Sequence, residues 1–394
     1  MSGDLPRSRP LRVALITGLA SGGTARHVAA LVAGCRDAGL EVSLLAPAAT
    51  LAMITKALAP PAMHSLLDHD EPVPMRPLPI AQRPQPLRDA RAVGQGRSFV
   101  AAWRPDVVYA HGVRAGALAA LALALTRRAA RPALLVTVHN APPEGRAASL
   151  VHAVLERSCA WRADLVLCAS ADLAARLKAR GAAAVEQIDV TAPPGPAPTA
   201  AETAAARAGI AEAGRPVILA VGRLAPQKGL DVLVAAAGRW RHRDPRPVTV
   251  IAGDGPQADP LRAQAARQAN GDVRLLGARD DVPALLAAAD VVVVPSRWEA
   301  RALIVQEAMQ AGRPIVAARV GGIPDLTGED GAVLVSPGDP AELAVAVTAL
   351  LDDPARAARL GKAARARAAT FPSPDDALAG MLSRYARLAA TGTR

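Results

Sequence analysis

The feature that most constrains this chain is an alternation of short aliphatic runs with alanine- and leucine-rich helical stretches. It occurs twice, with a proline-rich break between. In the first half Val13–Ile16, Val42–Leu45, Val107–Tyr109, Leu134–Val138 and Leu165–Ala169 are rich in strand formers and bounded by turns or charges. Thr24–Ala38 and Ala115–Thr126 are among the helical segments between them. Strand–helix–strand alternation at this spacing predicts a parallel sheet covered on both faces. Ala192–Pro198 reads APPGPAP, which suits neither a helix interior nor a central strand, and predicts a linker. The alternation restarts with Val217–Val221, Val248–Ile251, Val273–Leu275, Val291–Val294, Ile315–Ala317 and Val333–Val335.

The expected fold class is therefore α/β, with two doubly wound parallel-sheet domains, residues 1–195 and 196–371, facing across a cleft. Ligands in such sheets bind beyond the carboxyl ends of the strands, so both domains should aim loops at that cleft. Phe371-Pro372 stops the last helix of the second domain, and Pro374–Leu388 offers one more. Residues 60–98 break the pattern: they are rich in proline and arginine and predict a long surface excursion. Asp68-His69-Asp70, inside that stretch, reads as chance and not as a metal site.

Composition removes several classes of function. A length of 394 residues suits two or three domains at roughly 100–200 residues each. A hydrophobic fraction of 51% with 21% charged residues excludes a disordered chain. Aromatic residues are only 2%, which argues against the stacked rings of a single-strand nucleic-acid platform, and no nucleic-acid partner is expected. Cys35, Cys159 and Cys168 are odd in number and lack metal-ligand spacing, so buried reduced thiols in a cytoplasmic protein are expected. Leu11–Leu19 is not followed by a cleavage site, and the longest uncharged apolar run, between Arg114 and Arg127, is far short of the ~20 residues of a membrane span. The net charge of +11 is uneven: residues 1–195 hold 22 basic and 14 acidic side chains, the remainder 24 and 21. That asymmetry suits either a solvated arginine-rich surface or peripheral contact with an anionic membrane.

Two strand-end loops carry candidate chemistry. Strand Ile218–Val221 runs into Gly222-Arg223-Leu224-Ala225-Pro226-Gln227-Lys228-Gly229 before a helix from Leu230. Two cations beside a helix start suit a diphosphate, Arg223 as a fork and Lys228 as a point charge. An arginine–carboxylate pair beside a solvated lysine fits the same residues equally well. The second loop follows Val291–Val294 and reads Pro295-Ser296-Arg297-Trp298-Glu299-Ala300-Arg301, with a helix near Ala302 that carries Glu307 on its second turn. A loop followed by a helix lets both carboxylates point toward the strand ends while the helix start presents free amides. Carboxylates grip sugar hydroxyls and amides grip phosphate; the plainer alternative is a helix-start carboxylate and a surface glutamate.

The order VGRLAPQKG, IAGDGP, LLGARDDVP, PSRWEARALIVQEAMQAGRPIVA and VGGIPDL, from about residue 217 to 345, closely resembles the family-four retaining glycosyltransferases of GT-B fold. The opening stretch GLASGGTARHVAALVAGCRDAGLEVSLLAP resembles that family's acceptor domain. The resemblance implies two Rossmann-like domains, the first for acceptor and the second for nucleotide-sugar, with the 374–388 helix crossing back onto the first. It implies that Arg223 and Lys228 neutralise the donor's diphosphate, that Glu307 holds the ribose, and that Glu299 contacts the donor sugar. Gly253, Gly255 and Arg279 match loops lining the nucleobase pocket, and Gly22 and Gly23 the glycine-rich loop after the first strand. Leu303 and Ile304 fall at the donor site. His139, in Thr137-Val138-His139-Asn140, matches a histidine near the reacting sugar, while His111 is expected to line the cleft. The family commonly has glycine where this chain has Ala300 and Ala302, and an Asn-Gly turn where it has Thr191-Ala192-Pro193-Pro194, changes that bear on specificity more than on reaction class.

The same resemblance implies hexosyl transfer from an NDP-sugar, UDP or GDP, to a glycan, lipid-linked or small-molecule acceptor in carbohydrate or cell-envelope biosynthesis. No metal or other cofactor is expected. A catalytically silent GT-B protein that binds a nucleotide or sugar as a partner or regulator is the alternative. A nicotinamide-dependent dehydrogenase needs Gly-x-Gly-x-x-Gly after its first strand, and Gly18-Leu19-Ala20-Ser21-Gly22-Gly23 fails that spacing. A phosphate loop would need Gly-Lys-Ser/Thr, which is absent from the sequence.

Overall fold

Strand-forming runs and intervening helices assemble into two parallel sheets, one in each of two structural units. The computed structural model describes residues 9–19, 22–58, 72–81, 83–139, 145–188, 197–268 and 272–391. The first unit comprises Met1–Ile188 with Pro374–Arg394, and the second Asp189–Ser373. The Asp68-His69-Asp70 run and most of the APPGPAP linker lie outside the described residues.

The first unit runs β1 (Arg12–Thr17), α1 (Gly22–Asp37), β2 (Glu41–Ala46), α2 (Ala48–Leu58), β3 (Met75–Pro77), α3 (Pro86–Trp103), β4 (Val107–His111), α4 (Val113–Ala124), β5 (Ala133–Val138), α5 (Arg146–Arg162), β6 (Leu165–Cys168), α6 (Ala171–Ala179) and β7 (Val185–Gln187). Its strands are all parallel, in the order β3-β2-β1-β4-β5-β6-β7. The connections reverse direction between β1 and β4, which is where such sheets leave room for a ligand.

The 60–98 stretch is not a continuous surface excursion. Its described part contains edge strand β3 and most of the 18-residue helix α3. Pro86 occupies the first turn of α3, where a missing N–H costs nothing, so the proline density marks the helix start. The helix closes at Arg104, the one non-glycine residue in the left-handed region (φ 50°) among the described residues, whose N–H donates to the Val100 carbonyl.

The second unit runs α7 (Ala200–Ile210), β8 (Val217–Val221), α8 (Leu230–Ala237), β9 (Val248–Ala252), α9 (Ala258–Gln268), β10 (Val273–Gly277), α10 (Val282–Ala288), β11 (Val291–Val294), α11 (Leu303–Gln310), β12 (Ile315–Ala318), α12 (Ile323–Thr327), β13 (Val333–Val335), α13 (Pro340–Asp352) and α14 (Pro354–Ala368). The parallel order is β10-β9-β8-β11-β12-β13, reversing between β8 and β11. Alternate residues of these strands enter two separate cores: Val217, Leu219, Val292 and Val294 on one face, Ile218, Ala220, Val291 and Val293 on the other. Burial on both faces explains why the strands read as unbroken apolar runs.

The last helix, α15 (Pro374–Thr391), belongs to the first unit. Its Tyr385, Leu388 and Ala389 are buried in the core that contains Val28, Val32, Leu44 and Tyr109. A side chain at Gly34 of α1 would collide with Leu378, so the missing Cβ is what admits this helix. Cys35, Cys159 and Cys168 are buried free thiols, and burial pushes each up to about 12, which keeps them protonated and unreactive. Among the described residues no helix is long and apolar enough to cross a membrane.

Candidate functional site

In the second unit the loops after β8 and β11 meet at the point where the strand order reverses. The Arg297 amide donates to the Gln227 carbonyl (2.8 Å), and Gln227 Nε2 donates to the Trp298 carbonyl (2.8 Å). Arg297 also grips both carboxylate oxygens of Asp231 (2.8 and 2.7 Å), and these hydrogen bonds hold the Asp231 carboxyl below its usual range. Gly229 makes the crossing possible: it sits at φ 61°, and a Cβ there would run into the Pro295 carbonyl oxygen.

Within this frame Lys228 Nζ donates to Glu299 Oε1 at 2.6 Å, and Ser296 Oγ donates to the same oxygen at 2.8 Å. Glu299 is 6% exposed and Ser296 1%, so the carboxylate is held in a dry pocket by two fixed donors. The Arg223 side chain is exposed and makes no ion pair or hydrogen bond among the described residues. The pairing is the reverse of the plainer alternative: the lysine is engaged and the arginine is free.

Helix α11 begins without a side-chain cap at Ala302, and the first bonds back to the Ala302 carbonyl come from the amides of Val305 (3.0 Å) and Gln306 (3.3 Å). The amides of Leu303 and Ile304 precede them and carry the positive end of the helix dipole. Glu307 is half-buried on the second turn of the same helix. Ala300 and Ala302 are both buried and neither has a positive φ, so the added methyl groups are accommodated without backbone strain.

The neighbouring strand-end loops are stitched to the first. The Leu224 amide donates to the Asp254 carbonyl (2.9 Å), and the Gln257 amide to the Leu224 carbonyl (2.9 Å). Gly253 lies so close to the Gly222 carbonyl that no side chain fits, and Gly255 packs likewise on Leu224. Arg279 stands after β10 and is chelated by Asp281 through Nε (2.7 Å) and Nη2 (2.5 Å). Gly321, after β12, presses on the Glu299 carbonyl oxygen, to which Gly322 donates its amide (2.9 Å). That contact fixes the backbone of Glu299 from the far side.

In the first unit three histidines gather at the β1/β4 switch point. His111 ends β4, His139 directly follows β5, and His27 lies on α1. Ring centroids are 4.6 Å apart for His111 and His139 and 5.7 Å for His27 and His111. The Tyr109 hydroxyl lies 3.1 Å from His111 Nδ1 and 2.7 Å from Thr137 Oγ1. Burial pushes His139 down to about 4, with the charge of His27 adding to the effect. Burial and the two neighbouring imidazoles also lower His111 well below the usual range, and desolvation lowers His27. His111 and His139 are therefore neutral at physiological pH. Nδ1 of His139 is buried with no hydrogen-bond partner among the described residues, an unmet polar atom that a ligand could satisfy. Gly22 and Gly23 form the first turn of α1 and not a loop.

The structure brings Arg223, Lys228, Gly253, Gly255, Glu299, Leu303 and Ile304 to one loop cluster of the second unit, with Glu307 on the helix that leaves it. His139 belongs to the first unit. Sequence reasoning missed His27, Ser296 and Gly321. The signals were present, His27 four residues after Gly23 and Ser296 directly before the Arg297–Arg301 loop, but only the fold shows what each touches. Among the described residues no group of three or more His, Cys, Asp or Glu side chains is arranged to hold a metal ion.

Two family models match in tandem, a glycosyl transferase 4-like domain over residues 22–194 and glycosyl transferases group 1 over residues 215–353. Glycogen synthase of Mycobacterium tuberculosis is 35% identical over 280 residues, 67% of this chain and 64% of that protein. D-inositol 3-phosphate glycosyltransferase of Salinispora arenicola is 38% identical over 192 residues, 45% of this chain and 42% of that protein. The chain thus spans less than two thirds of the length of these relatives. Among solved structures, sucrose-phosphate synthase from Thermosynechococcus elongatus superposes with a TM-score of 0.76 at 23% identity, over 97% of this chain and 100% of that one. HepE of Anabaena in complex with UDP and glucose gives a TM-score of 0.77 at 21% identity, over 95% and 99%. At that identity the likeness is one of fold, and the fold is GT-B with two Rossmann-like domains.

Proposed function

The chain belongs to the glycosyltransferases that join a glycosyl transferase 4-like domain to a group 1 domain, and on that premise we propose that it moves a hexosyl group from an NDP-sugar to a hydroxyl acceptor with retention of anomeric configuration. The observation that carries this reading is the cation pair at the β8/β11 switch point: a free Arg223, a Lys228 held ready by buried Glu299, and uncapped amides at the start of α11. Donors aimed at one place stabilise the charge that builds on a departing diphosphate without reorganising as the bond breaks. The protein's own groups supply that stabilisation, and no metal is part of the proposal. UDP or GDP is the proposed nucleotide, in keeping with the UDP bound by HepE of Anabaena.

In this mechanism Lys228 exchanges Glu299 for the diphosphate, freeing the carboxylate to accept hydrogen bonds from the donor sugar. Glu307 holds the ribose, and the loops with Gly253, Gly255 and Arg279 border the base. The first domain takes the acceptor; Gly22 and Gly23, opening α1, offer amides to the phosphates. The leaving phosphate removes the proton from the acceptor hydroxyl on the same face. Neutral His139 has Nδ1 unmet, which suits a hydrogen bond that orients the sugar and does not suit a strong base.

The acceptor is proposed to be a lipid-linked or cell-envelope glycan, reached from the cytoplasmic face of the membrane. Supporting this, α5 exposes Leu150 (69%), Val154 (60%) and Trp161 (73%) along one side. Arg146 and Arg157 stand beside them, and the helix's one acid, Glu156, is buried. Such a face suits an anionic interface. The test of the reaction is transfer from radiolabelled UDP- and GDP-sugars to a lipid extract. Label should enter an organic-soluble product with wild type and fail to do so with Lys228→Ala. Tight nucleotide binding with neither transfer nor donor hydrolysis would favour the silent-binding alternative.

A further inference from the structure

We propose that a groove at the carboxyl edge of β1, β2 and β3 binds an amphiphilic anion, an apolar body ending in a single phosphate. Its assignment as the acceptor's anchoring site rests on the glycosyltransferase reading, whereas the binding chemistry stands alone. The groove is a cavity of about 570 Å³ within the first unit, inside the range of roughly 300–1,000 Å³ that holds small ligands. Leu19, Leu78 and Ile80 line it together with Pro47, Pro77 and Pro79. Its other wall is one face of α3, where Arg88, Arg91 and Gln95 follow each other at helical spacing.

Three observations select the ligand class. The floor is apolar and no aromatic ring of the described residues borders it, so it suits an aliphatic body better than a nucleobase. Among the described residues no Asp or Glu lines the groove, and Asp89, the acid on the first turn of α3, is taken by Arg114 and by the Gln85 amide (3.0 Å). The Arg88 and Arg91 side chains are exposed and make no ion pair or hydrogen bond among the described residues, which leaves two guanidinium forks facing an uncharged floor. That is the arrangement for an anion at the rim of an apolar slot.

The walls are also fixed in advance. Thr50 Oγ1 donates to the Gly18 carbonyl (3.2 Å) and holds the end of the β1 loop against α2. Arg114 Nε donates to the Ala81 carbonyl (2.7 Å) while its other arm holds Asp89, tying the strand end after β3 to α3. The Leu78 amide donates to the Ala46 carbonyl (2.9 Å). Such ties lower the ordering cost of binding. The groove opens on the same edge of the sheet as His111 and His139, where an anchored acceptor would present its hydroxyl.

The experiment is calorimetric titration of the full chain with monomeric decyl phosphate, inorganic phosphate and decyl maltoside, alongside UDP and GDP. Decyl phosphate should bind wild type at least tenfold more tightly than either control. Arg88→Ala and Arg91→Ala should each weaken it about tenfold and the double variant more, while Ala48→Trp, which narrows the slot at an exposed position, should abolish it. Sedimentation with phosphatidylcholine vesicles carrying phosphatidic acid separates the sources. Loss of sedimentation in the double variant supports the groove with a membrane-held phosphate; no sedimentation beside intact decyl phosphate binding supports it with a free one. Decyl maltoside binding as tightly as decyl phosphate, or binding indifferent to the arginines and to Ala48→Trp, would overturn the proposal. Nucleotide binding in every variant without decyl phosphate binding in any would overturn the groove alone. Decyl phosphate binding without nucleotide binding would leave the groove standing and overturn the transferase reading.

Discussion

Lowering the pH from 7.5 to 5 should destabilise the first unit through its histidine cluster, and His139 allows the size to be worked out. In the unfolded chain its imidazole titrates near 6.5; in the fold, burial and the neighbouring charge push it down to about 4. At pH 7.5 both states are neutral and the group contributes nothing. At pH 5 the unfolded imidazole is almost fully protonated and the folded one about a tenth so, and the unfolded state gains about 2 kcal/mol from the extra proton. The loss begins as pH falls below 6.5 and is complete near 4. His111, lowered by burial and by His139 and His27, adds a loss of the same sign. Hydrogen exchange of the β4 and β5 amides under urea reports this unit separately from the other. Between pH 7.5 and 5, wild type should lose about 2 kcal/mol more protection than His139→Gln, whatever the variant's absolute stability. Equal pH slopes for the two would refute a desolvated, neutral His139.

Other consequences are equally specific. Gly321→Ala must adopt φ near 50° and displace the Glu299 carbonyl, so it should cost at least ~1–2 kcal/mol in thermal unfolding and weaken NDP-sugar binding; wild-type affinity would sever Gly321 from the site. Glu156 is 1% exposed and is bound by Arg176 at 2.8 Å and His152 at 3.2 Å; burial alone would raise its carboxyl, but these partners hold it below the usual range. Glu156→Gln should therefore cost roughly 2–4 kcal/mol near neutral pH, with the difference from wild type fading as pH falls through the folded carboxyl's pKa; a neutral effect in urea titrations would contradict this. For α5, Trp161 fluorescence should shift to the blue with phosphatidylglycerol vesicles at low salt and return with added salt, and Leu150→Ala should weaken the response. An unchanged spectrum at low salt would remove the membrane contact from the proposal.

The central strands and the loops after them were legible because burial on both faces makes each one a continuous apolar run, and because cations and carboxylates stand out at strand ends. Edge strands β3 and β7 were not legible. MRP and VEQ are three residues long, each interrupted by a charged residue, and bury little. Helix α3 was hidden behind Pro84 and Pro86, which read as loop although the second proline opens the helix. The internal wiring of the site lies beyond any local pattern: Lys228 and Glu299 are 71 residues apart, and β1, β4 and β5 must pair before His27, His111 and His139 meet. The groove of the first unit was unreadable for the same reason, since its floor and wall come from four separate segments.

Calorimetric binding of UDP, GDP and ADP to wild type, Arg223→Ala and Lys228→Ala tests the donor site most directly. Arg223→Ala is the cleaner variant, because that side chain is exposed and its removal leaves no buried charge unpaired. One diphosphate should bind wild type and lose roughly 10- to 100-fold in affinity with either substitution. Binding of that diphosphate at wild-type affinity in both variants, or no binding of any of the three to wild type, would contradict it.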